Sequence, residues 1–200
     1  NTHIETCRYG KGQGAMSLLA TLLVDKHDYV PRPILWLWNI IRHPLVFLRS
    51  MNPIGVSEKS TYVLVMQTIS NYMRFDYKRR WWRLGKRSMN SNCDTNQKVP
   101  AYIPVANEYT RRLAEKIDGD PAASITEIFL NTSTTAHIMG GCVMADSPEN
   151  GVIDHKGQIF GYKNLYVADG SIVPANLGVN PSLTITAMAE YILDQVPEKI

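Results

Sequence analysis

The feature that most limits the possible folds of this chain is a change in sequence texture at residue 131. Beyond it, glycines are frequent and short apolar runs alternate with turn residues, as in GVIDHKGQIFGYKNLYVAD. One of these runs, 165–168, predicts a strand that ends at Asp169. Asn180 then caps an apolar helix predicted over 181–194, because Asn favours the cap position and Pro the first helical position. The chain is therefore predicted to close with a strand, a loop and a helix.

The first 130 residues predict a mixture of strands and helices. Residues 60–69 are rich in β-branched and apolar side chains, which predicts a strand buried on both faces. Asn71 fits a hairpin turn into a second strand over 72–84. The i, i+4 spacing of apolar residues over 105–117 predicts an amphipathic helix that ends at Gly119. Further predicted elements are short helices over 33–41 and 44–49, a helix-like stretch over 16–24, a polar loop over 88–98 and a strand over 124–130.

Composition excludes several classes of protein. The 200 residues are 44% hydrophobic and 20% charged, which is too apolar for a disordered chain, and the net charge of +3 is too small to indicate a nucleic-acid partner. The most apolar stretch, Pro33–Ile41, is far shorter than the ~20 residues a membrane-spanning helix needs. Cys7, Cys93 and Cys142 are widely spaced and fit neither a disulfide framework nor a zinc pattern. Reduced thiols point to a cytoplasmic setting.

The glycine run at 10–15 allows two interpretations. Gly10, Gly12 and Ala15 fit a dinucleotide-binding fingerprint. However, the preceding segment is too polar for a central parallel strand, and no strand ending in an acid follows at the required distance. A flexible turn is the favoured interpretation.

Two other segments could be binding surfaces. The cations and tryptophans of 78–87 could contact a phosphate backbone with base stacking. They are better explained as the solvated face of an edge strand, where cations discourage aggregation. No nucleic-acid partner is therefore predicted. Segment 29–50, with Trp36 and Trp38, could make peripheral membrane contact, cover an apolar pocket or pack in the core.

Two blocks carry candidates for chemistry. His137 is followed by Gly140 and Gly141, and two consecutive glycines let a backbone or a flat ligand approach closely. The helix predicted from Pro181 would present unpaired N–H groups and a positive dipole end, which can stabilise an anion. Asn180 would be either a plain helix cap or part of this site.

These blocks resemble a known family. HIMGGC at 137–142, GVIDHKGQIFGYKNLYVADGS at 151–171 and GVNPSLTITAMAE at 178–190 resemble the carboxy-terminal end of the glucose-methanol-choline (GMC) oxidoreductases. Within that family they are most similar to the cholesterol-oxidase-like branch. The strong resemblance covers residues 130–193, and a looser one extends through 53–110.

The resemblance implies an α/β fold with two parts. Residues 1–130 would belong to a substrate-binding domain, an antiparallel sheet backed by helices. Residues 131–200 would supply the terminal strand and helix of a Rossmann-like FAD-binding domain. In this family the dinucleotide fingerprint lies far upstream of the histidine block. The chain is therefore expected to be the carboxy-terminal portion of a larger enzyme, with the amino-terminal portion as its partner.

The resemblance also implies a function. The complete enzyme would use FAD to oxidise a sterol-like or other bulky hydrophobic alcohol by hydride transfer, with O2 or another electron acceptor. His137 and Asn180 would face the substrate hydroxyl as the catalytic pair, and no metal is implied. The residues implied to contact the flavin are Asp169, Gly170, Asn180, Pro181 and Ser182.

Two departures from the family pattern leave the substrate open. Ser182 stands where steroid oxidases often have Phe, and Ile138 and Met139 replace the more usual Pro-Leu. One alternative is a dehydrogenase of the same family that acts on a non-steroid alcohol. Another is a non-catalytic interaction or membrane-surface module that has lost the flavin.

Overall fold

The computed structural model describes residues 1–69, 71–93 and 99–197. Within them the strands form two-stranded pairs and the helices are short. The strands are β1 (Thr2–Cys7), β2 (Ala20–Leu22), β3 (Tyr62–Gln67), β4 (Arg74–Arg79), β5 (Arg87–Asn92) and β6 (Ala122–Ser124). The α-helices are α1 (Arg32–Arg42), α2 (Pro44–Ser50), α3 (Val56–Lys59), α4 (Pro104–Lys116), α5 (Ile125–Leu130) and α6 (Ser182–Leu193).

The chain divides into two compact units. The first contains residues 1–3, 66–69 and those from 135 onward, and the second contains 4–65 and the described residues of 70–134. The mixture of helices with small antiparallel sheets confirms the fold class that the resemblance implies. Helices predicted over 33–41, 44–49 and 105–117 are present as α1, α2 and α4.

Trp36 anchors α1 within the second unit. Its indole Nε1 donates a hydrogen bond of 2.7 Å to Oγ1 of the buried Thr21 on β2. Its ring meets Phe47 of α2 edge-on at 5.8 Å and Phe129 of α5 at 4.9 Å. Edge-to-face aromatic pairs stabilise a core beyond the area they bury. Trp36 is therefore partly buried among these neighbours, whereas Trp38 on the same helix is exposed.

A buried ion pair links α1 to α5. The Arg32 guanidinium is 7% exposed; its Nη1 lies 2.6 Å from Oε1 of Glu127, and its Nη2 donates to the Glu127 carbonyl at 2.5 Å. Nη2 also donates to Oδ1 of Asn131 at 3.2 Å. Burial raises the pKa of the Glu127 carboxyl, and the hydrogen bond from Arg32 opposes this shift only in part.

Asp25 ties the chain after β2 to α4. Its carboxylate accepts hydrogen bonds from Asn107 Nδ2 at 2.9 Å, Arg111 Nη2 at 2.5 Å and Tyr102 Oη at 3.4 Å. Partial burial raises the pKa of Asp25, but the hydrogen bonds from Asn107 and Arg111 outweigh burial, so its pKa lies below the ordinary value. α4 is thus held by polar contacts as well as by its apolar face.

The predicted hairpin between 60–69 and 72–84 is wrong. β3 pairs with β1, and β4 pairs in antiparallel register with β5, with Arg79 opposite Arg87. β4 and β5 are joined by a 3-10 turn, Trp81–Arg83, which is closed by left-handed conformations at Leu84 and Gly85. A short local turn at Asn71 was expected to decide the pairing, but β3 finds its partner near the start of the chain instead.

Three other local predictions also need correction. β5 lies where a polar loop was predicted over 88–98, of which 94–98 lie outside the described residues. The stretch 16–24 contains the end of a 3-10 helix, Gly14–Leu19, and then β2. The strand predicted over 124–130 is β6 followed by α5. Ile125, Ile128 and Phe129 follow the i, i+3, i+4 spacing of a helix, and Ile128 is buried, so packing outweighs the β-propensity of isoleucine.

The core of the first unit lies between the Gly-rich segment and α6. Its buried members are Ile153, Ile172, Val173 and Ile192. The predicted strand over 165–168 is absent: this segment makes a single bridge, from Tyr166 to Gln158. One extended segment without a neighbouring ladder does not form a strand, and within the described residues no parallel partner lies beside it.

α1 and α2 leave an apolar face exposed, which includes Ile34, Leu37, Ile41, Leu45 and Leu48. Among the described helices, none combines the length and the apolar character that crossing a bilayer requires. Peripheral membrane contact by this segment stays a prediction.

Candidate active site

His137 lies in an irregular segment shaped by the glycines that follow it. Its backbone N–H donates to Oγ1 of Thr135 at 3.1 Å, and its side chain is half-buried. Gly140 and Gly141 have φ angles of 79° and 106°, which side-chain-bearing residues rarely adopt. The backbone conformation at these two positions therefore explains why glycine is needed there. A Cβ on Gly141 would meet nothing within 4 Å, so the chain is open at this point.

The Asp169–Gly170–Ser171 turn packs against the histidine segment. The carbonyl of Ser171 accepts a hydrogen bond of 3.0 Å from the Cys142 N–H. A Cβ on Gly170 would lie 2.7 Å from the Ile138 carbonyl oxygen and 3.1 Å from Cδ1 of Ile185 on α6. Gly170 is therefore required by close packing of the chain on itself, independently of any ligand.

Asp169 is exposed and shapes this turn. Its Oδ1 accepts from the Ser171 hydroxyl at 2.5 Å and from the Ser171 N–H at 2.8 Å. These two hydrogen bonds hold the pKa of Asp169 below its ordinary value, and the bond from the hydroxyl contributes more than the bond from the N–H. Asp169 is consequently an anion at neutral pH.

The loop before α6 is fixed by Asn176. Its Nδ2 donates to the carbonyls of Gln67 at 2.8 Å and Ile69 at 3.4 Å, and its Oδ1 accepts from the Gly178 N–H at 2.9 Å. Gly178 has a φ of 70°, and a Cβ there would lie 2.9 Å from Oγ1 of Thr68. The residues at the end of β3 thus hold the loop that leads to Asn180.

His137 and Asn180 meet at one hydroxyl group. The Ser182 Oγ lies 3.1 Å from Nε2 of His137 and 2.8 Å from Oδ1 of Asn180. The Ser182 N–H also donates to Oδ1 of Asn180 at 3.0 Å, so the Asn180 side chain satisfies the first N–H group of α6. The two residues predicted as a catalytic pair are thus brought together although they are far apart in the sequence.

α6 begins at this cluster. Its first residue is Ser182, one position later than predicted, because the buried Pro181 is the cap residue. The positive end of the helix dipole therefore lies beside His137 and Asn180.

The Asn176 contacts are the part of the site that the sequence analysis missed. An Asn two positions before a glycine is a turn signal, and this signal at Asn176 and Gly178 was available. No signal in the sequence indicates that Asn176 bonds to the carbonyls of Gln67 and Ile69, because no local pattern specifies so distant a contact. Within the described ranges, no cluster of His, Cys, Asp or Glu could hold a metal ion.

An imidazole and a carboxamide thus converge at a helix amino terminus, in a unit that also contains the open Gly141. The GMC oxidoreductase family matches residues 63–189, more than half of the chain. The chain belongs to this family.

Individual relatives agree with this assignment. Cholesterol oxidase of Acinetobacter baumannii is 46% identical over 200 residues, which cover 100% of this chain and 35% of that protein. Cholesterol oxidase of Mycobacterium tuberculosis (strain ATCC 25618 / H37Rv) is 43% identical over 203 residues, with the same coverage. A long-chain-alcohol oxidase of Arabidopsis thaliana, FAO4B, is 29% identical over 96 residues, 48% of this chain and 13% of that protein. The chain thus spans 35% of the length of the cholesterol oxidases it matches.

Proposed function

We propose that this chain forms part of an FAD-dependent oxidoreductase that oxidises a sterol-like, bulky hydrophobic alcohol. One observation carries the proposal: His137 Nε2 and Asn180 Oδ1 lie at 3.1 and 2.8 Å from the same hydroxyl oxygen, that of Ser182. Two groups that bind one hydroxyl group within the protein are placed to bind the hydroxyl group of an alcohol. The match to cholesterol oxidases over 100% of this chain supports a sterol as the substrate.

The residues around this point fit a flavin. A flat ring system needs open space bordered by small residues, and Gly141 leaves such space. The amino end of α6, with Asn180, Pro181 and Ser182, offers a positive dipole end to a ring that gains negative charge on reduction. Asp169 and Gly170 would lie on the flavin side of the turn. When bound, the flavin supplies the acceptor for the hydride that leaves the carbinol carbon.

The residues of this chain would then act on the hydroxyl group. His137 accepts the hydroxyl proton, which makes the loss of a hydride from the carbinol carbon easier. Asn180 does not titrate, and its carboxamide orients the hydroxyl. The alcohol loses one proton and one hydride and becomes a carbonyl compound, and O2 or another acceptor takes the electrons from the reduced enzyme.

A second candidate substrate is a long-chain alcohol. The match to a long-chain-alcohol oxidase over 48% of this chain favours it, and Ser182 in place of a bulky Phe is compatible with a different substrate shape. A dehydrogenase that avoids O2 would carry the same His137 and Asn180. In each case we propose that the dinucleotide-binding part is supplied by further sequence of the kind that the longer relatives possess.

The test uses the flavin-loaded protein that carries this chain, mixed anaerobically with cholesterol or with a long-chain alcohol. Bleaching of the flavin absorbance by cholesterol supports the sterol proposal, and bleaching by the long-chain alcohol alone selects the second candidate. A colourless protein that takes up no FAD would overturn both and favour a non-catalytic module.

Two variants test the assigned roles. His137→Gln should slow flavin reduction by a factor of about 10²–10⁴, which is the usual loss for a general base. Asn180→Asp keeps the oxygen that accepts the first N–H of α6 but replaces the amide with a charge. It should therefore slow flavin reduction without unfolding the helix. His155→Gln is the matched control, because His155 is an exposed residue paired with Asp146 outside this cluster. Parental reduction rates in both site variants would refute the assignment.

A further inference from the structure

The hydroxyl of Ser182 satisfies the same two groups that the proposed function assigns to the substrate hydroxyl. Its Oγ lies within hydrogen-bond distance of His137 Nε2 and of Asn180 Oδ1. The side chain is exposed, so neighbouring atoms do not hold it tightly in place.

The direction of each hydrogen bond follows from the donors. The Ser182 N–H donates to the Asn180 side-chain atom at 3.0 Å, so that atom is the carboxamide oxygen and can only accept. The Ser182 hydroxyl hydrogen therefore points to Asn180. The Oγ is left as an acceptor toward His137, and the imidazole must carry its hydrogen on Nε2.

We propose that Ser182 occupies the hydroxyl position of the site, as an internal contact that the substrate alcohol displaces. This inference rests on the proposed function, because it assigns His137 and Asn180 to the substrate. A serine side chain has three staggered rotamers, so a rotation about one bond moves its hydroxyl away from His137 Nε2 and Asn180 Oδ1, while Oδ1 keeps the Ser182 N–H. The alcohol oxygen then takes the position beside His137 and Asn180 that the Ser182 hydroxyl held before.

The contact also holds His137 in an inactive form. An imidazole with its hydrogen on Nε2 cannot accept a proton at that atom. When Ser182 rotates away, the ring can take the other tautomer, and the alcohol then donates its single hydroxyl hydrogen to His137 Nε2 while the Asn180 carboxamide orients the alcohol oxygen. Ser182 is therefore a positioning residue that acts through His137, and it opposes substrate binding.

Ser182→Ala should strengthen substrate binding, which is the opposite of what loss of a supporting contact would do. The probe is a sterol with a methyl group in place of the carbinol hydrogen, which can bind but has no hydride to lose. Its Kd, measured from the change in the oxidised flavin spectrum, should fall by about 3- to 10-fold, the range expected for one hydrogen bond that no longer competes. The KM for cholesterol should fall in parallel.

Two further variants serve as controls. Ser182→Thr keeps a hydroxyl at the same position, so its Kd should lie closer to the parental value than that of Ser182→Ala. Thr186→Ala removes a hydroxyl of the same helix that donates to the Ser182 carbonyl at 2.9 Å, and it should retain the parental Kd. An unchanged or raised Kd in Ser182→Ala would overturn the proposal.

A spectroscopic measurement separates this inference from the proposed function. In the flavin-loaded protein with ¹⁵N-labelled histidine and no substrate, the His137 ring should carry its hydrogen on Nε2, and Ser182→Ala should yield a mixture of tautomers. Identical His137 signals in parent and variant would refute the contact. If cholesterol fails to reduce the parental flavin, the proposed sterol activity fails, while the tautomer result still decides whether Ser182 controls His137.

Discussion

Gly170→Ala is expected to damage the site without touching a substrate-binding side chain. The new Cβ would lie 2.7 Å from the Ile138 carbonyl oxygen, where ordinary contacts begin at 3.4 Å. One of the two segments must therefore move by about 0.7 Å, because repulsion rises steeply below contact distance. The Ile138 carbonyl belongs to the residue after His137, so this shift is transmitted directly to the imidazole.

Gly170→Ala should change both the stability of the protein and the rate of flavin reduction. Forcing one extra carbon into a packed contact costs about 1–3 kcal/mol of folding free energy. A displacement approaching 1 Å at a reacting group can slow the reaction by about 10²-fold. Stability is measured by chemical denaturation of the flavin-free protein, so that a clash with the flavin cannot contribute. Reduction is followed by stopped-flow absorbance.

Gly10→Ala is the control for Gly170→Ala, because its Cβ would make only an ordinary contact of 3.6 Å with the Gln13 side chain. The reasoning is wrong if Gly170→Ala matches Gly10→Ala in denaturation midpoint, or if its flavin is reduced at the parental rate.

Two other predictions concern the second unit. Arg32→Met should lower the free energy of unfolding by about 3–5 kcal/mol, since it leaves the half-buried Glu127 without its partner. Arg49→Met, which breaks the exposed pair with Asp120, is the control and should change the urea midpoint very little. Equal losses of stability in the two variants would contradict the argument. The folded-state pKa of Asp25 is depressed, so its contribution to stability is present above its ordinary pKa of 3.8 and is lost as pH falls through the folded value. Asp25→Asn should therefore lose less stability than the parent in unfolding curves recorded below that pH, and parallel pH profiles for the two proteins would argue against it.

The elements that sequence predicted well are those with strong local signals. α1, α2 and α4 each begin with Pro at the first or second helical position, and α4 has a clear apolar spacing. α6 follows an Asn-Pro pair; Pro181 holds the cap position, and Asn180 accepts the first N–H of the helix. In these segments the helix start, the periodicity and the packing agree.

The errors fall where distant residues decide the outcome. β3 pairs with β1 rather than with the following strand, a choice that no turn residue near 71 encodes. Ile125–Leu130 contains two isoleucines and a phenylalanine, yet it forms a helix, in which Ile128 is buried and Phe129 meets Trp36 of α1. β-propensity reflects fit to a pleated, half-buried surface, and this segment has no such surface.

In the candidate site, too, some features can be predicted from local sequence and others depend on distant contacts. His137, Asn180 and Ser182 could be named from two of the sequence blocks, because these blocks are specific. The bridging position of Ser182 and the anchoring of Asn176 to the Gln67 carbonyl depend on three-dimensional contacts, and no sequence spacing predicts them.

The anchoring of Asn176 has a consequence for how the protein assembles. The Asn176 side chain bonds to a carbonyl 109 positions earlier, at Gln67, so the loop that presents Asn180 is completed only when a very long segment has closed on itself. Closing such a segment is slow compared with winding a helix. During refolding, the helical circular-dichroism signal should therefore begin to return before the Asn176 contacts form, and in a nascent chain the loop that presents Asn180 can close only after residue 176 has been synthesised.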